Sequence, residues 1–258
     1  IVEATDRRFA TVKIYTIVNQ MLEEQIKKVL ENDAKKALES QIVDVKEAES
    51  PGERKLEESV LAKVDLSLSY TKEEYKKRLS VLQKRIELLH GELYRRRIPM
   101  VIGFEGWDAG GKGGAIRRLT EKMDPRGYVV HPTASPNEIE RDYHYLWRFW
   151  TDMPKAGHIT IFDRTWYGRV MVERIEGFCT KQDWQRAYKE INDMEHDLVS
   201  AGAIVLKFWM QIDKEEQERR FKARQENPDK QWKITEEDWR NREKWDLYEE
   251  AVNEMLIR

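Results

Sequence analysis

The chain has 258 residues, of which 40% are hydrophobic and 36% are charged, and its formal net charge is −2. This length suits one α/β domain with an accessory segment. The near-neutral charge argues against a nucleic-acid or membrane binder, so any attraction to a polyanion must come from a local basic patch. The single cysteine, Cys179, excludes an internal disulfide framework and favours a reducing, cytoplasmic compartment. No apolar run approaches the length of a transmembrane helix.

Residues 1–70 differ in character from the rest of the chain. Apolar residues with helical spacing run from Val12 to Leu30, and a Lys/Glu-rich stretch with a Pro51-Gly52 break then indicates a linker. Clear secondary-structure signals begin at Thr71, which is expected to form a capping box with Glu74 at the start of a long helix. That helix is expected to end near residues 95–97, three arginines whose charge suits the negative end of the helix dipole.

Four strand–helix units follow this helix. The predicted strands cover residues 100–104, 128–131, 159–162 and 203–210. Residues 135–138 predict the start of a helix that continues through Trp150. Because strands alternate with helices, the sequence predicts a three-layer α/β/α fold with a parallel sheet between the helices. Ligands of such sheets bind at the carboxyl ends of the strands, where the glycine-rich loop and Asp163 fall.

The most informative stretch is the glycine-rich loop after the first of these strands. Residues 106–112 fit the phosphate-binding spacing G-x-x-x-x-G-K, but the Ser or Thr that usually follows the lysine is absent. Backbone N–H groups of such a loop and its lysine contact phosphate oxygens. The expected phosphate-binding residues are Gly106, Ala109, Gly110, Gly111, Lys112, Gly113 and Gly114. The alternative is a glycine-rich turn with a surface lysine.

Two aspartates are candidate metal ligands. In common P-loop enzymes the missing hydroxyl holds Mg²⁺, so Asp108, within the loop, is the expected replacement. Asp163 follows an apolar strand, which is the Walker B arrangement, in which an aspartate binds or orients hydrated Mg²⁺. Asp108 and Asp163 are expected to face each other across the metal, because Mg²⁺ prefers oxygen ligands together with substrate phosphates. A simple helix-capping role is the alternative for Asp163.

Arginines cluster in sequence near these carboxylates. Arg164, Arg169 and Arg174 follow Asp163, and guanidinium groups bind phosphate oxygens bidentately. A solvated helix face is the alternative, most of all for Arg174. Arg117 and Arg118 come one turn after the loop. They are either ordinary surface charges or the lining of a track for a longer polyphosphate anion.

A second basic stretch follows the fourth strand. Arg220 and Arg224 are candidate phosphate-binding residues on a predicted helix that is broken by Asn227-Pro228. Such a helix, in a lid at about residues 213–235, would close over bound phosphates and exclude water. Because acidic residues nearly balance the basic ones, an amphipathic surface hairpin is the alternative.

From Tyr75 to Leu256 the chain resembles the polyphosphate kinase 2 family. The landmarks are residues 105–114, 124–128, 146–150, 162–169, 207–209, 215–220 and 232–235. The resemblance implies a P-loop kinase fold that uses Mg²⁺, with Mn²⁺ as an alternative, to transfer a phosphoryl group reversibly between inorganic polyphosphate and a nucleotide. It also implies that glycine after the loop lysine is normal and that the catalytic residues are Asp108, Lys112, Asp163 and Arg169. Thr165 departs from the family's usual Ser but keeps the hydroxyl.

The amino-acid sequences at residues 166–169 and 232–235 most resemble those of tandem-domain family members that phosphorylate AMP to ADP. Residues 1–10 resemble the segment that ends a family domain. Residues 1–70 are therefore expected to be the tail of a preceding repeat and a linker, and residues 71–258 a catalytic domain truncated at its C-terminus. We hypothesise that residues 1–30 dock where the closing strand and helix of the second repeat belong.

Other functions stay open at this point. With polyphosphate as donor, ADP to ATP or GDP to GTP is the nearest alternative. A conventional ATP-dependent small-molecule kinase fits the general pattern but not the family landmarks. An inactive repeat acting as a scaffold is the alternative of another class. The expected partners are inorganic polyphosphate and a nucleoside mono- or diphosphate, with a homo-oligomer or pairing with a sister repeat as a further expectation and no nucleic acid or membrane.

Overall fold

The computed structural model describes residues 1–36 and 59–258, which contain five parallel strands. These are β1 Val2–Glu3, β2 Met100–Gly106, β3 Tyr128–Pro132, β4 Ile159–Asp163 and β5 Ile204–Gln211. They form one sheet in the order β1-β5-β2-β4-β3, in which Phe104 of the central strand β2 lies opposite Asp163 and Phe208. The parallel sheet confirms the predicted α/β class.

Helices connect the strands and cover the sheet. They are α1 Arg7–Lys36, α2 Lys72–Arg95, α3 Lys112–Thr120, α4 Glu138–Arg141, α5 Trp147–Trp150, α6 Val172–Glu176, α7 Lys181–Ser200, α8 Lys214–Gln225, α9 Glu236–Glu243 and α10 Trp245–Ile257. The connection from β2 through α3 runs towards β3, whereas the connection from β4 through α7 runs the opposite way, towards β5. Right-handed crossovers in opposite directions place α3 and α7 on opposite faces, which gives the three-layer arrangement.

Helix α2 begins and ends where the sequence predicts. Thr71 caps its first turn, and the reciprocal bonds with Glu74 form the expected capping box. The helix predicted from residue 138 through Trp150 is wrong in its continuity, because α4 and α5 are separate single turns. Asn137 caps α4 in a capping box with Glu140. The predicted linker around Pro51-Gly52 lies outside the described residues.

Residues 1–36 lie against the sheet. Val2 pairs with Met210 at the free edge of β5, and the Ala4 N–H donates to the Gln211 carbonyl at 2.8 Å. Helix α1 packs on α2 and α3 and buries Tyr15, whose hydroxyl donates to the Arg118 carbonyl. The segment therefore docks on the domain as an edge strand followed by a covering helix; that this is the place of the second repeat's own closing strand and helix stays a prediction. That it is the tail of a preceding repeat stays a prediction.

The core has the composition expected of a sheet covered on both faces. Residues 100–104 of β2 are all buried, which is why this strand reads as a continuous apolar run. The same core cluster includes Val18 and Leu22 of α1, so residues 1–36 share the hydrophobic core of the main domain. Within the described ranges, none of the helices is both long and apolar enough to cross a lipid bilayer.

Candidate active site

The glycine-rich loop joins β2 to α3, and its shape depends on left-handed backbone. Gly106 and Gly111 have φ angles of +142° and +104°. A side chain at Gly106 is also excluded sterically, because a Cβ atom there would lie 2.6 Å from the Met210 carbonyl oxygen. Ala109 adopts φ +58° although it is not a glycine, so the loop is strained at its middle. The loop therefore ends with α3 directing its free N–H groups outward.

Lys112 is the first residue of α3 and turns back over the loop. Its Nζ atom donates to the carbonyls of Gly106 at 2.6 Å and Trp107 at 3.2 Å. These carbonyls hold the ammonium group beside the start of the helix, where a phosphate would bind. The next residue, Gly113, is exposed, and a Cβ atom built on it would lie 3.8 Å from Asp163 Oδ2. The absent side chain thus leaves space next to the Walker B carboxylate.

Asp163 and Arg164 end β4 beside this loop. The Arg164 N–H donates to the Phe104 carbonyl at 3.0 Å, which ties the end of β4 to β2. Arg164 has φ +71°, an unusual conformation for a non-glycine residue and one that clusters at functional sites. Its exposed guanidinium lies 3.3 Å from Asp108 Oδ1. The structure therefore brings together Asp108, Lys112, Gly113, Asp163 and Arg164.

Glu105 is a site residue to which the sequence analysis gave no role. It is the penultimate residue of β2, and its Oε1 atom accepts from the Thr165 N–H at 2.6 Å and hydroxyl at 2.9 Å. Desolvation raises the pKa of this carboxyl, although the positive charge of Lys112 opposes the shift. An acidic residue at the end of an apolar strand, directly before a phosphate loop, is the sequence signal that could have identified it.

Several predicted arginines are held by other parts of the protein. Arg118 Nε donates to Thr11 Oγ1 of α1 at 2.7 Å, so this side chain faces the N-terminal helix. Arg169 pairs with Glu173, and its guanidinium carbon lies 4.6 Å from the Tyr145 ring centre. The Arg118 guanidinium also lies beside Gly114, where an added Cβ atom would be 3.4 Å from Nη2, whereas none of the contacts described for Arg169 joins it to the loop.

The remaining arginines differ in their surroundings. Arg174 pairs with Glu254 at 2.6 Å, away from the loop. Arg117 is exposed on α3, one turn beyond Gly113. Arg220 is buried beneath the loop. Arg224 lies one turn further along α8 and is half-buried, and the negative charge of Asp108 acts on its guanidinium.

The predicted lid region forms a helix, a short 3₁₀ turn at Gln231–Lys233 and the start of α9. Helix α8 ends at Gln225, before Asn227-Pro228, as the sequence predicts. Trp232 has 75% of its surface exposed, and Phe221 of α8 packs edge-on against Trp239 of α9. The predicted lid region therefore carries one exposed aromatic side chain, Trp232, and α9, which follows it, packs against α8.

Trp107 anchors the first part of the loop. Its ring stacks on Trp245 of α10 at 3.6 Å between ring centres. Its Nε1 atom donates to Gln211 Oε1 at 3.0 Å, the same atom that accepts from Trp209 at 2.8 Å. The described partners of the Trp107 ring are therefore protein side chains.

Comparison with known proteins adds to this geometry. The polyphosphate kinase 2 sequence profile matches residues 69–258. The chain is 53% identical over 199 residues to the polyphosphate:AMP phosphotransferase of Pseudomonas aeruginosa, covering 77% of this chain and 40% of that protein. It is 36% identical over 188 residues to NDP-polyphosphate phosphotransferase 3 of Ruegeria pomeroyi, covering 73% of this chain and 62% of that protein.

A solved structure supports the same relationship. The crystal structure of a polyphosphate kinase 2 from Pseudomonas aeruginosa PA01 aligns with a TM-score of 0.76 at 52% identity, over 80% of this chain and 45% of that chain. The chain spans about two fifths of the length of the polyphosphate:AMP phosphotransferases that it matches. Because the family profile covers most of the sequence, the chain belongs to the polyphosphate kinase 2 family.

Proposed function

We propose that this chain transfers a phosphoryl group from inorganic polyphosphate to a nucleotide, and that its preferred reaction converts AMP to ADP. The observation that supports this proposal is the position of the glycine-rich loop beside the end of β4: Lys112 bonds to loop carbonyls, Gly113 leaves space next to Asp163, and Arg164, the residue after Asp163, pairs with Asp108 of the loop. That arrangement suits phosphoryl transfer, which depends on positioning and on neutralising charge. Family membership supports polyphosphate as the donor.

In the proposed reaction the loop N–H groups and Lys112 bind the donor phosphates. An oxygen of the acceptor phosphate forms the new P–O bond as the bridging P–O bond of polyphosphate breaks, and the shortened polyphosphate leaves as an anion. Arg164 lies at the edge of this site, where it would contact the migrating group. The acceptor phosphate is already ionised at neutral pH, so no strong general base and no covalent enzyme intermediate are needed.

Arg169, Arg117 and Arg224 keep proposed supporting roles. Arg117 is exposed on α3 one turn beyond Gly113, and Arg224 is half-buried on α8, where the charge of Asp108 acts on it. Both would contact phosphates further along the polyphosphate chain. Arg169 is the predicted catalytic arginine. Its guanidinium would have to leave Glu173 to reach a phosphate, and that exchange is favourable only for a highly charged ligand.

Phosphotransferases of this family generally need a divalent metal ion, and we propose Mg²⁺, with Mn²⁺ as an alternative. Asp108 and Asp163 would hold it, because Mg²⁺ characteristically binds one or two carboxylates and takes its other ligands from water and substrate phosphates. The space left by Gly113 beside Asp163 fits this arrangement. When bound, the ion neutralises charge on the donor and acceptor oxygens.

We propose AMP as the preferred acceptor because the relatives named for AMP are more similar to this chain than the one named for nucleoside diphosphates. Identity is 53% to a polyphosphate:AMP phosphotransferase and 36% to a protein named for nucleoside diphosphates. ADP and GDP are the alternative acceptors. A cytoplasmic location and assembly with a second copy or a sister repeat also stay predictions, the first resting on the single Cys179.

One assay tests the proposal. The protein is incubated with Mg²⁺ and either AMP or ADP, with polyphosphate or ATP as donor, and new nucleotide is measured by chromatography. We expect ADP to form from AMP and polyphosphate. Transfer from ATP alone would contradict the proposed donor and favour a conventional kinase, and transfer to ADP alone would contradict the acceptor. No transfer from either donor would favour an inactive scaffold.

A further inference from the structure

The buried guanidinium of Arg220 joins three parts of the chain. Arg220 is 5% exposed and lies on α8, beneath the phosphate loop. Its Nη1 atom donates to the Ala109 carbonyl at 2.9 Å, and its Nη2 atom donates to the carbonyls of Ala4 at 2.7 Å and Thr5 at 2.9 Å. Its Nε atom donates to Glu216 Oε1 at 2.6 Å. We call this set of bonds the Arg220 bridge.

The bridge acts on the strained part of the loop. Ala109 is the non-glycine residue of the loop that has a left-handed backbone. Gln217 Nε2, also on α8, donates to the preceding carbonyl, that of Asp108, at 3.1 Å. Two consecutive carbonyls of the loop therefore bond to one helix. Because the C=O and N–H of a trans peptide point in opposite directions, holding the Asp108 carbonyl directs the Ala109 N–H away from α8. The Gly110 N–H donates to the Trp107 carbonyl at 2.9 Å, which closes the turn.

The same guanidinium also ties the loop to the N-terminal strand. Ala4 follows β1, whose register with β5 places it beside Gln211. The carbonyls of Ala4 and Thr5 thus reach the underside of the loop from a segment more than a hundred residues away in sequence. Lysine could not replace this arrangement, because a single ammonium group lacks the planar fork that reaches acceptors on three sides.

We propose that Arg220 is a positioning residue that holds the phosphate loop in its binding conformation and couples it to residues 1–5. This differs from the sequence-based expectation that Arg220 itself binds phosphate. Burial and the bonds to four acceptors occupy its guanidinium within the protein. The effect on catalysis rests on the proposed function, whereas the effect on the loop does not.

Hydrogen exchange separates the two roles. The variants are R220M, which keeps the length of the side chain without its donors, and R220K, which keeps the charge. Arg219 is the matched control, because it is exposed, lies next in sequence and shares the Glu216 carboxylate with Arg220, but none of the contacts described for it reaches the loop or residues 1–5. Amide exchange is measured by mass spectrometry on the unliganded proteins in peptides covering residues 1–9 and 106–114, with the thermal unfolding midpoint recorded for each variant.

We expect R220M and R220K to exchange about tenfold or more faster than wild type in both peptides, because bonds to a charged donor are lost, whereas R219M matches wild type. Unchanged exchange in residues 106–114 of a folded R220K would overturn the proposal. Should R220M fail to fold, R220K decides. This readout needs no activity, so it stands even where the phosphotransfer assay fails.

Kinetics then test the catalytic consequence. We expect kcat with polyphosphate to fall at least tenfold in R220K, since a displaced loop misplaces the donor. A direct phosphate ligand predicts a different result, in which R220K keeps most of the activity and the loss appears as a higher KM for polyphosphate. That result, with loop exchange unchanged, would assign Arg220 to binding and not to positioning.

Discussion

Glu105 accepts two hydrogen bonds from Thr165, one from its N–H at 2.6 Å and one from its hydroxyl at 2.9 Å. Thr165 is the residue after Arg164, so this pair fixes the end of β4 against the end of β2. The distance between the glycine-rich loop and Asp163 therefore depends on the Glu105 carboxylate. Three of the predictions below concern this junction and the residues that it positions.

The Glu105 carboxyl makes stability depend on pH. Its pKa is raised above the ordinary value of 4.5 by desolvation, so the folded protein holds this proton more tightly than the unfolded chain does. The contribution to stability is therefore largest below pH 4.5 and falls as pH rises through the folded-state pKa. Glu105→Gln keeps an oxygen that accepts both Thr165 bonds but cannot ionise.

We expect Glu105→Gln to raise the unfolding midpoint relative to wild type at pH 7, with the difference shrinking towards pH 4. Thermal unfolding across pH 4–8 measures this. Glu87, an exposed residue of α2, supplies the control Glu87→Gln, which should leave the pH profile unchanged. A Glu105→Gln protein that is less stable than wild type at pH 7 and equal to it at pH 4 would contradict the assignment.

Gly103 is packed against the methyl group of Thr165. A Cβ atom at Gly103 would lie 2.8 Å from Thr165 Cγ2, with the next contact at 3.9 Å from the Leu206 carbonyl. The threonine cannot rotate freely, because its hydroxyl bonds to Glu105 and accepts from the Tyr167 N–H at 3.2 Å. We expect Gly103→Ala to destabilise the protein by about 1–3 kcal/mol through overpacking.

A double-mutant cycle isolates this contact. Thr165→Ser removes the methyl group and keeps the hydroxyl, so Gly103→Ala combined with Thr165→Ser should be more stable than Gly103→Ala alone. Denaturant unfolding of the four proteins gives the coupling free energy. Additive effects of the two substitutions would mean that the strand cannot accept a side chain at Gly103 for another reason.

The loop lysine and the Walker B aspartate should be needed for turnover but not for folding. Lys112 bonds only to loop carbonyls in the structure, and Asp163 is a partly exposed strand end. We expect Lys112→Ala and Asp163→Asn each to lower kcat by about 100-fold or more, the scale of removing one group that stabilises developing charge. The unfolding midpoints should change little.

Lys122, an exposed residue just after α3, is the control for loss of a positive charge. Lys122→Ala should keep wild-type kcat and KM. Near-normal turnover in either site variant would remove that residue from the catalytic assignment.

Much of the fold could be predicted from local sequence signals, because the elements that they predict are present in the structure. Strands that alternate with helices gave the parallel sheet, and Thr71 with Glu74 gave the start of α2 because a capping box needs only four neighbouring residues. The continuous helix through Trp150 was wrong because local capping signals cannot show that the chain turns again between α4 and α5. The pairing of β1 with β5 joins residues more than two hundred positions apart; the family resemblance suggested that the segment docks on the domain but not which strand it pairs with.

The site was predicted in part for the same physical reason. Loop and strand positions are set by short-range backbone geometry, so the sequence predicted that Gly106 and Lys112 lie between β2 and α3 and that Asp163 ends β4. That these residues bind phosphate or metal stays a prediction. An arginine, by contrast, has a long side chain whose partner depends on packing. Sequence spacing could not show that Arg220 points under the loop or that Arg118 faces α1.

Arg117 and Arg118 are adjacent on α3, but the Arg117 side chain is exposed to solvent and the Arg118 side chain contacts α1. Arg118 bonds to Thr11 of α1, and its carbonyl accepts from Tyr15, so it joins the N-terminal helix to the domain. Arg117 is exposed on the side of α3 that carries Gly113.

We expect Arg118→Met to lower the free energy of unfolding by about 1–2 kcal/mol and to leave the KM for polyphosphate near wild type. Arg117→Met should instead keep wild-type stability and raise that KM several-fold, more at low ionic strength than at high, because an exposed charge is screened by salt. Denaturant unfolding and polyphosphate titrations at two salt concentrations measure both effects. A loss of polyphosphate affinity in Arg118→Met alone would reverse the assignment and place the polyphosphate path on the α1 side of α3.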